Sequence, residues 1–495
     1  MREGRIGHWD AARWIWVFTR THTAAVLCAV LLTMGCSAAP RDFQSPIPMP
    51  DRFSASGTRD RQAQWWGEFS DPALSTAIEK ALASNFSLRT VWDRLAQAET
   101  IARQEGAALL PTLSGEAGAT RTRTQTGKIA TYASNLRLEA AAGYEIDLWG
   151  RVRSKRQAAL LDVQARELDV QAAAVSLSAS VASTWYELAE ALAQVRILTS
   201  QRKTNEQLLD LVTVRFHQGQ VQAVDVLQQR QLVQSSEGLL ALAEQRVEAL
   251  RHQLAVLLGK PPKADLGTTD PLIILPEPLP QTGVPAEWIQ RRPDVQSAYL
   301  ALQAQDRRLA AAIAAQYPRL SLSAGLETSG PKTRFLFENW LASLAANLVQ
   351  PVFQGGKLRA EVDRNRALLS QTYHEYGQTL LNALQEVEDA LSREAHQEKY
   401  LQNLEKQLKT AAVVIERTRS SYLNGQLDYL RVLEALKSRQ SLERDRLSAQ
   451  RERIESRIQL HRALAGGLLL ERPALWKPTV KNSGEHGKPE VSLDE

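Results

Sequence analysis

The chain has 495 residues, a formal net charge of +5 and 44% hydrophobic residues. Only 26 residues are glycine and 20 are proline, so long uninterrupted secondary-structure elements are expected. After the N-terminus no stretch reaches the roughly 18 apolar residues that a membrane-spanning helix needs. No run of Lys and Arg is interleaved with aromatic residues, so composition argues against helical membrane spans and against nucleic-acid partners.

The first 35 residues have the pattern of a bacterial secretory leader. Basic residues precede an apolar core at residues 24–32, and the core is followed by small residues. The sequence from Leu32 to Ser37 resembles a lipobox, with a threonine where leucine is usual. It predicts that residues 1–35 are removed and that Cys36 is acylated; an ordinary signal peptide cut near Ala38 or Ala39 is the alternative. The other cysteine lies in the leader, so no disulfide is expected in the mature chain.

Three motifs of the first part of the chain recur later at almost constant spacing, which indicates a tandem duplication. We predict repeats at residues 72–260 and 286–470, joined by a proline-rich linker at 261–285. Residues 36–71 form a predicted extended segment, and the polar residues 471–495 a predicted disordered tail. The recurring motifs are Leu110–Ser114 with Tyr317–Ser321, offset by 207 residues, and Asp147–Arg151 with Phe353–Lys357 and Gly219 with Gly425, both offset by 206.

Each repeat is predicted to contain a helix, two strands, a very long helix, a sharp turn and a final helix. No Gly or Pro interrupts residues 151–217, and such a helix spans ~100 Å. The chain turns back near Gly219 and Gly425, so each repeat should end in a helical hairpin with an exposed tip. The long helix carries a coiled-coil seam with alternating spacings of four and three, formed by Val181, Trp185, Leu188, Leu192 and Val195.

The predicted strands alternate between apolar and polar residues. Residues 135–148 alternate strictly, 319–327 and 340–348 show the same pattern, and 113–120 show it weakly. A half-buried sheet over a soluble core is one interpretation. Membrane-crossing strands are the other, because the strands are long enough for the ~9–11 tilted residues that cross a bilayer and the chain is exported. Four strands cannot close a barrel, whereas three copies of the chain would supply twelve.

Several motifs carry a family resemblance. They are Trp65–Trp66, Asp71–Pro72, Tyr144–Arg151 and Arg291–Val295. Over about residues 60–470 the chain resembles the outer membrane factor family of export channels. The resemblance implies a mainly α fold with a membrane β-barrel: a trimer whose twelve-stranded barrel, with four strands per chain, continues into a long α-helical coiled-coil barrel. It also implies a homotrimeric duct in the outer membrane that works with a periplasmic adaptor protein and an inner-membrane transporter, here expected to be proton-driven.

Family members close the duct at the inner hairpin tips and dock the adaptor near the tip glycines. The matching segments predict a periplasmic gate and a set of docking tips. Aspartates of some relatives stand where this chain has Arg431 and Glu434, so we do not expect an acidic ring. A solvated helix end is the simpler interpretation of such charges. The predicted gate residues are Tyr422, Asp428, Arg431 and Glu434, and the predicted docking residues are Arg215, Gly219, Asp225 and Gly425.

No motif supports catalysis. The eight histidines form no HxxxH pair, and neither a GxxxxGK[ST] loop nor a GxSxG elbow occurs. We therefore expect no enzyme activity, no cofactor and no metal site, with transport powered by a partner pump. Three hypotheses remain: a small-molecule efflux duct, a type I protein secretion duct, and a pore-free periplasmic coiled-coil scaffold. The lipobox and the family motifs favour the first.

Overall fold

The computed structural model describes residues 41–57, 64–266, 271–275, 279–468 and 470–472. The predicted leader, Cys36 and nearly all of the predicted tail lie outside these ranges. The first repeat contains helices α1 (Pro72–Ser84), α2 (Phe86–Ala107), α3 (Arg151–His217) and α4 (Ala223–Leu257), and strands β1 (Thr112–Thr126) and β2 (Ile129–Ile146). The second contains helices α5 (Pro285–Ile289), α6 (Pro293–Ala314), α7 (Lys357–Leu423) and α8 (Tyr429–Leu464), and strands β3 (Arg319–Gly330) and β4 (Trp340–Val349).

The two longest helices, α3 and α7, have 67 residues each. The predicted bounds of α3 are confirmed, and its seam residues Val181, Trp185 and Leu188 are buried. Each long helix packs antiparallel with the helix that follows it, α4 or α8, so each repeat ends in a helical hairpin. None of the helices in the described ranges combines the length and apolarity that a bilayer crossing needs.

The motif at the end of β2 starts α3 and joins the two repeats. The Asp147 carboxylate accepts the N–H groups of Val152 and Arg153, at 3.1 and 2.8 Å, so it satisfies donors that the first turn of α3 leaves free. The Trp149 indole N–H donates to the Pro318 carbonyl at 2.8 Å. The recurring strand-to-helix motif thus fixes both the start of a helix and the contact between repeats.

The four strands form one antiparallel sheet in the order β1-β2-β3-β4. Two strand predictions were wrong in extent: β2 spans Ile129–Ile146 rather than 135–148, and β1 runs to Thr126 rather than 120. Residues 120–126 carry polar side chains on both faces, so hydrophobic alternation could not reveal them. The outer edges of β1 and β4 have no partner strand within the described chain.

The largest core cluster joins residues preceding α1 to α1, α3, α4 and α8. Trp65 and Trp66 are buried in it. The Trp65 indole stacks on the His461 imidazole at a centroid distance of 5.6 Å. His461 also lies 3.2 Å from the buried Glu68 carboxylate. The short 3-10 helix at Trp65–Phe69 is therefore fastened to the last helix of the second repeat.

Asp71 links the start of α1 to the centre of α3, which gives a test of this core. Its Oδ1 accepts the N–H groups of Ala73 and Leu74, and its Oδ2 accepts the indole N–H of buried Trp185 at 2.9 Å. Asp71→Ala should lower the free energy of unfolding by about 2–4 kcal/mol, since it removes a helix cap and leaves a buried donor unsatisfied. Denaturant unfolding of the detergent-solubilised protein measures this, and the exposed Glu79→Ala is the control. Equal losses of unfolding free energy in Asp71→Ala and Glu79→Ala would contradict this prediction.

Candidate functional site

The two hairpin tips have the same backbone turn. Gly219 and Gly425 have φ angles of +72° and +71°, in the left-handed region that favours glycine. Each glycine N–H donates to a carbonyl of the preceding helix, that of Phe216 at 2.9 Å or that of Tyr422 at 3.1 Å. Tyr422 therefore occupies in the second tip the place that Phe216 occupies in the first.

The structure brings the two tips of one chain together. The Arg215 guanidinium lies 4.9 Å from the centroid of the Tyr422 ring, so a predicted docking residue touches a predicted gate residue. The Tyr422 ring lies 5.6 Å from the ring of Tyr429, which is buried. Burial raises the pKa of Tyr429, and nearby Tyr422 and Asp225 raise it further, so its hydroxyl stays protonated and acts as a donor.

The other predicted charges make local contacts at the helix starts. The Asp428 carboxylate accepts the Arg431 N–H at 3.2 Å and caps α8. Asp225 accepts the Gln222 N–H at 3.0 Å in the first turn of α4. The Arg431 guanidinium lies 3.4 Å from the Glu434 carboxylate, and both side chains are exposed. The two aspartates thus have helix-capping roles that the sequence analysis did not assign.

Arg431 offers a test of the gate assignment that leaves the fold intact. Its ion pair with Glu434 is well exposed, at 65% and 56%, so its loss should change stability by less than about 1 kcal/mol. If the pair lines the constriction, Arg431→Ala removes positive charge there and leaves Glu434, which should increase cation selectivity. Reversal potentials across planar bilayers under a salt gradient measure this. Arg439→Ala, which breaks a similar pair with Glu443, is the control, and an unchanged potential in Arg431→Ala would place Arg431 away from the pore.

A buried amide network above the tips was missed by the sequence analysis. The Gln229 amide donates to the Asn205 backbone carbonyl at 2.7 Å, and the Gln440 amide donates to the Asn205 side-chain oxygen at 2.9 Å. The Asn205 amide donates to the Ser236 hydroxyl at 2.8 Å, and the Tyr429 hydroxyl donates to Gln229 at 2.6 Å. These bonds connect α3 and α4 of the first repeat with α8 of the second.

The sequence contains a signal for this network. Leu198, Gln201, Asn205, Leu208 and Val212 follow one another at alternating spacings of three and four, so two polar residues occupy positions of an apolar seam. Polar side chains at such positions are buried and need partners, and they specify which helices pair and in what register. The network therefore fixes the second hairpin against the first.

Arg292, in the third family motif, holds the other end of the second repeat. Its guanidinium donates to Asp294 at 2.7 Å, to Glu386 of α7 at 2.9 Å and to the Ala463 carbonyl of α8 at 3.0 Å. Burial by itself would raise the pKa of Asp294, but the hydrogen bonds and charge of Arg292 outweigh it and lower that pKa. Asp294 lies in the first turn of α6, where a negative charge favours the start of a helix.

The described ranges contain no group of three or more His, Cys, Asp or Glu side chains that could hold a metal ion. The tips and the network above them instead combine hydrogen bonds, ring contacts and one exposed ion pair. Such contacts can hold the two hairpins together, and breaking them would let the hairpins separate.

Comparison with known proteins agrees with this geometry. Residues 77–260 and 284–466 match the family model described as outer membrane efflux protein. The pyoverdine export outer membrane protein OpmQ of Pseudomonas aeruginosa is 30% identical over 464 residues, which cover 91% of this chain and 98% of OpmQ. The toluene efflux pump outer membrane protein TtgF of Pseudomonas putida is 29% identical over 474 residues, covering 90% of this chain and 97% of TtgF.

The outer-membrane channel OprN has a similar fold, with a TM-score of 0.80 and 25% sequence identity over 87% of this chain and 99% of OprN. The predicted family, fold class and outer-membrane location are confirmed by these matches. The chain belongs to the outer membrane efflux protein family.

Proposed function

We propose that three copies of this chain form the exit duct of a tripartite pump that expels small molecules. The observation that carries the proposal is a four-stranded sheet whose outer strands, β1 and β4, each have an edge without a partner strand in the described ranges. Every residue of these two strands is exposed. Unpaired backbone groups in lipid cost several kcal/mol each, so a sheet that crosses a membrane must close. Pairing β1 of one copy with β4 of the next closes a barrel of twelve strands, an even number in the range of outer-membrane barrels.

The helices extend the same assembly into the periplasm. Both long helices follow directly from the ends of β2 and β4, so the threefold rotation that closes the barrel also sets the helical hairpins side by side. A helix of 67 residues is ~100 Å long, which is far longer than an ordinary domain requires. The repeats at residues 72–260 and 286–470 then contribute alternate hairpins to one hollow shaft.

The partners follow from the ends of this shaft. We propose that a periplasmic adaptor docks at the tips formed by Arg215, Gly219, Asp225 and Gly425, and that Tyr422, Asp428, Arg431 and Glu434 form the gate. The duct is passive, and a proton-driven inner-membrane transporter supplies the energy. Acylation of Cys36 anchors the mature chain in the outer membrane. The relatives named for pyoverdine export and toluene efflux support small molecules as the cargo.

An efflux assay tests this proposal. In a host that lacks its own exit ducts but contains the cognate adaptor and transporter, expression of the chain should lower the accumulation of a fluorescent dye that the transporter carries. The protein content of the medium should not change. Unchanged dye accumulation together with the appearance of one exported protein would instead support the secretion duct. A chain that affects neither would support the pore-free scaffold.

A further inference from the structure

The strand register places two arginines on the lipid-facing side of the sheet. Ala119 of β1 lies opposite Leu136 of β2 on the apolar face. Because residues on one face recur at every second position, Arg121 and Arg123 are the next two β1 residues on that face. Arg123 lies opposite Tyr132, which shares the face. The apolar face thus changes abruptly into a basic and aromatic one.

The length of the apolar band places this change at the outer boundary of the membrane. From Leu136 to Ile146 the chain makes ten residue steps, about 34 Å along a strand and about 26 Å across a bilayer at a tilt of ~40°. That height matches the ~25 Å apolar band of outer-membrane barrels. The helices leave the sheet beyond Ile146, so that end faces the periplasm and the arginines lie at the outer surface.

The two arginines and Tyr132 form one cluster there. Their guanidinium carbons lie 5.3 Å (Arg121) and 5.9 Å (Arg123) from the Tyr132 ring centroid, and Tyr132 is 61% exposed. Tyrosine is enriched where a barrel meets the membrane boundary. Residues 117–138 include no Asp or Glu, so the hairpin tip supplies no carboxylate to compensate these charges.

The opposite face of the same hairpin shows the contrast. Arg137 of β2 points away from the apolar face and forms ion pairs with Glu139 and with Glu327 of β3, the latter at 3.1 Å. The positive charge of Arg137, on the side that would face the lumen, is therefore neutralised within the sheet. On the lipid side, Arg121 and Arg123 form no ion pair with any described residue, and Arg123 donates a hydrogen bond to the neutral Gln125 side chain at 3.1 Å.

We propose that Arg121, Arg123 and Tyr132 bind a phosphate group of an anionic lipid in the outer leaflet. Guanidinium groups donate paired hydrogen bonds to phosphate, and an adjacent tyrosine positions them at the boundary. A threefold barrel carries three such sites. The inference rests on the proposed function, because the strands must cross the membrane for this face to meet lipid.

Native mass spectrometry of the detergent-extracted full-length protein tests the site. The probes are diphosphorylated lipid A and the same lipid after phosphate removal. We expect up to three bound copies of the phosphorylated lipid per trimer and at least about tenfold weaker binding of the dephosphorylated form. The variant R121Q/R123Q should lose the preference, whereas R137Q, the same change on the opposite face, should keep it.

The outcomes separate this site from the duct. A stable trimer that binds both lipids equally, or an R121Q/R123Q trimer that keeps the preference, overturns the lipid site and leaves the duct standing. Binding of inorganic phosphate as tight as that of the phosphorylated lipid overturns it as well, because the site would then bind phosphate irrespective of lipid. Absence of trimers in the native protein contradicts the proposed function itself. If R121Q/R123Q does not assemble into trimers, the lipid site is tested by comparing the binding of the two lipids to the native trimer and to the single variants R121Q and R123Q.

Discussion

Replacing Arg457 with alanine is expected to lower the free energy of unfolding by about 3–5 kcal/mol, because it leaves a buried carboxylate without its partner. Arg457 of α8 donates from Nε to Glu394 of α7 at 3.0 Å, and a second, shorter bond joins Nη2 to the other carboxylate oxygen. Their side chains are only 3% and 4% exposed, so water cannot replace the lost partner. This pair lies between the two helices of the second hairpin.

A double variant separates the missing partner from the lost packing. Arg457→Leu with Glu394→Leu removes both charges, and it should recover most of the stability lost in Arg457→Ala. Arg453→Ala is the matched control, since Arg453 lies 4.0 Å from Glu398, which is half exposed, and the loss should stay below about 1 kcal/mol. Denaturant unfolding followed by the helical circular dichroism signal measures all three. A loss in Arg457→Ala no larger than that in the control would show that Glu394 finds water or another cation.

Asn205→Leu is expected to loosen the contact between the two hairpins and to open the duct more often. Asn205 is fully buried, and leucine would leave the Gln440 amide without its acceptor and the Ser236 hydroxyl without a donor. Each unsatisfied buried group costs about 1–3 kcal/mol. The bonds join α8 to the first repeat just above the tips, so their loss weakens the contact that keeps the second hairpin against the first. We expect a several-fold increase in the open fraction of single channels.

Planar-bilayer recordings of the purified protein measure this effect. Asn403→Leu is the matched control, because the exposed Asn403 amide donates, among the described residues, only to the Lys399 carbonyl of its own helix. It should leave the open fraction unchanged. If the open fraction of Asn205→Leu channels equals that of native channels while the protein is less stable, the network supports folding and has no part in gating.

The sequence was most informative about the long helices. The absence of Gly and Pro from residues 151–217 defines α3 to the residue, and the tip glycines mark where each hairpin turns. It did not separate α1 from α2, since no Gly or Pro lies between them. Asn85 makes that break: its side chain accepts the Leu88 N–H at the start of α2 and donates to the Leu257 carbonyl of α4.

Only the local contacts of the candidate site could be predicted from the sequence. Capping by Asp225 and Asp428 was not assigned, but it could have been, because it is local and the sequence shows the required spacing. The network around Asn205 joins residues 235 positions apart, and it depends on the relative register of α3 and α8. Periodicity reveals that a polar residue lies in a seam, but the partner comes from a different repeat. The contact of Arg215 with Tyr422 escaped prediction for the same reason.

The most direct test of the duct is the mass and shape of the detergent-extracted mature protein, by light scattering together with single-particle imaging. We expect the mass of three chains and a threefold hollow particle, with a short barrel continued by a shaft of ~100 Å. A single chain, or a solid rod without a lumen, would contradict the duct and favour the periplasmic scaffold.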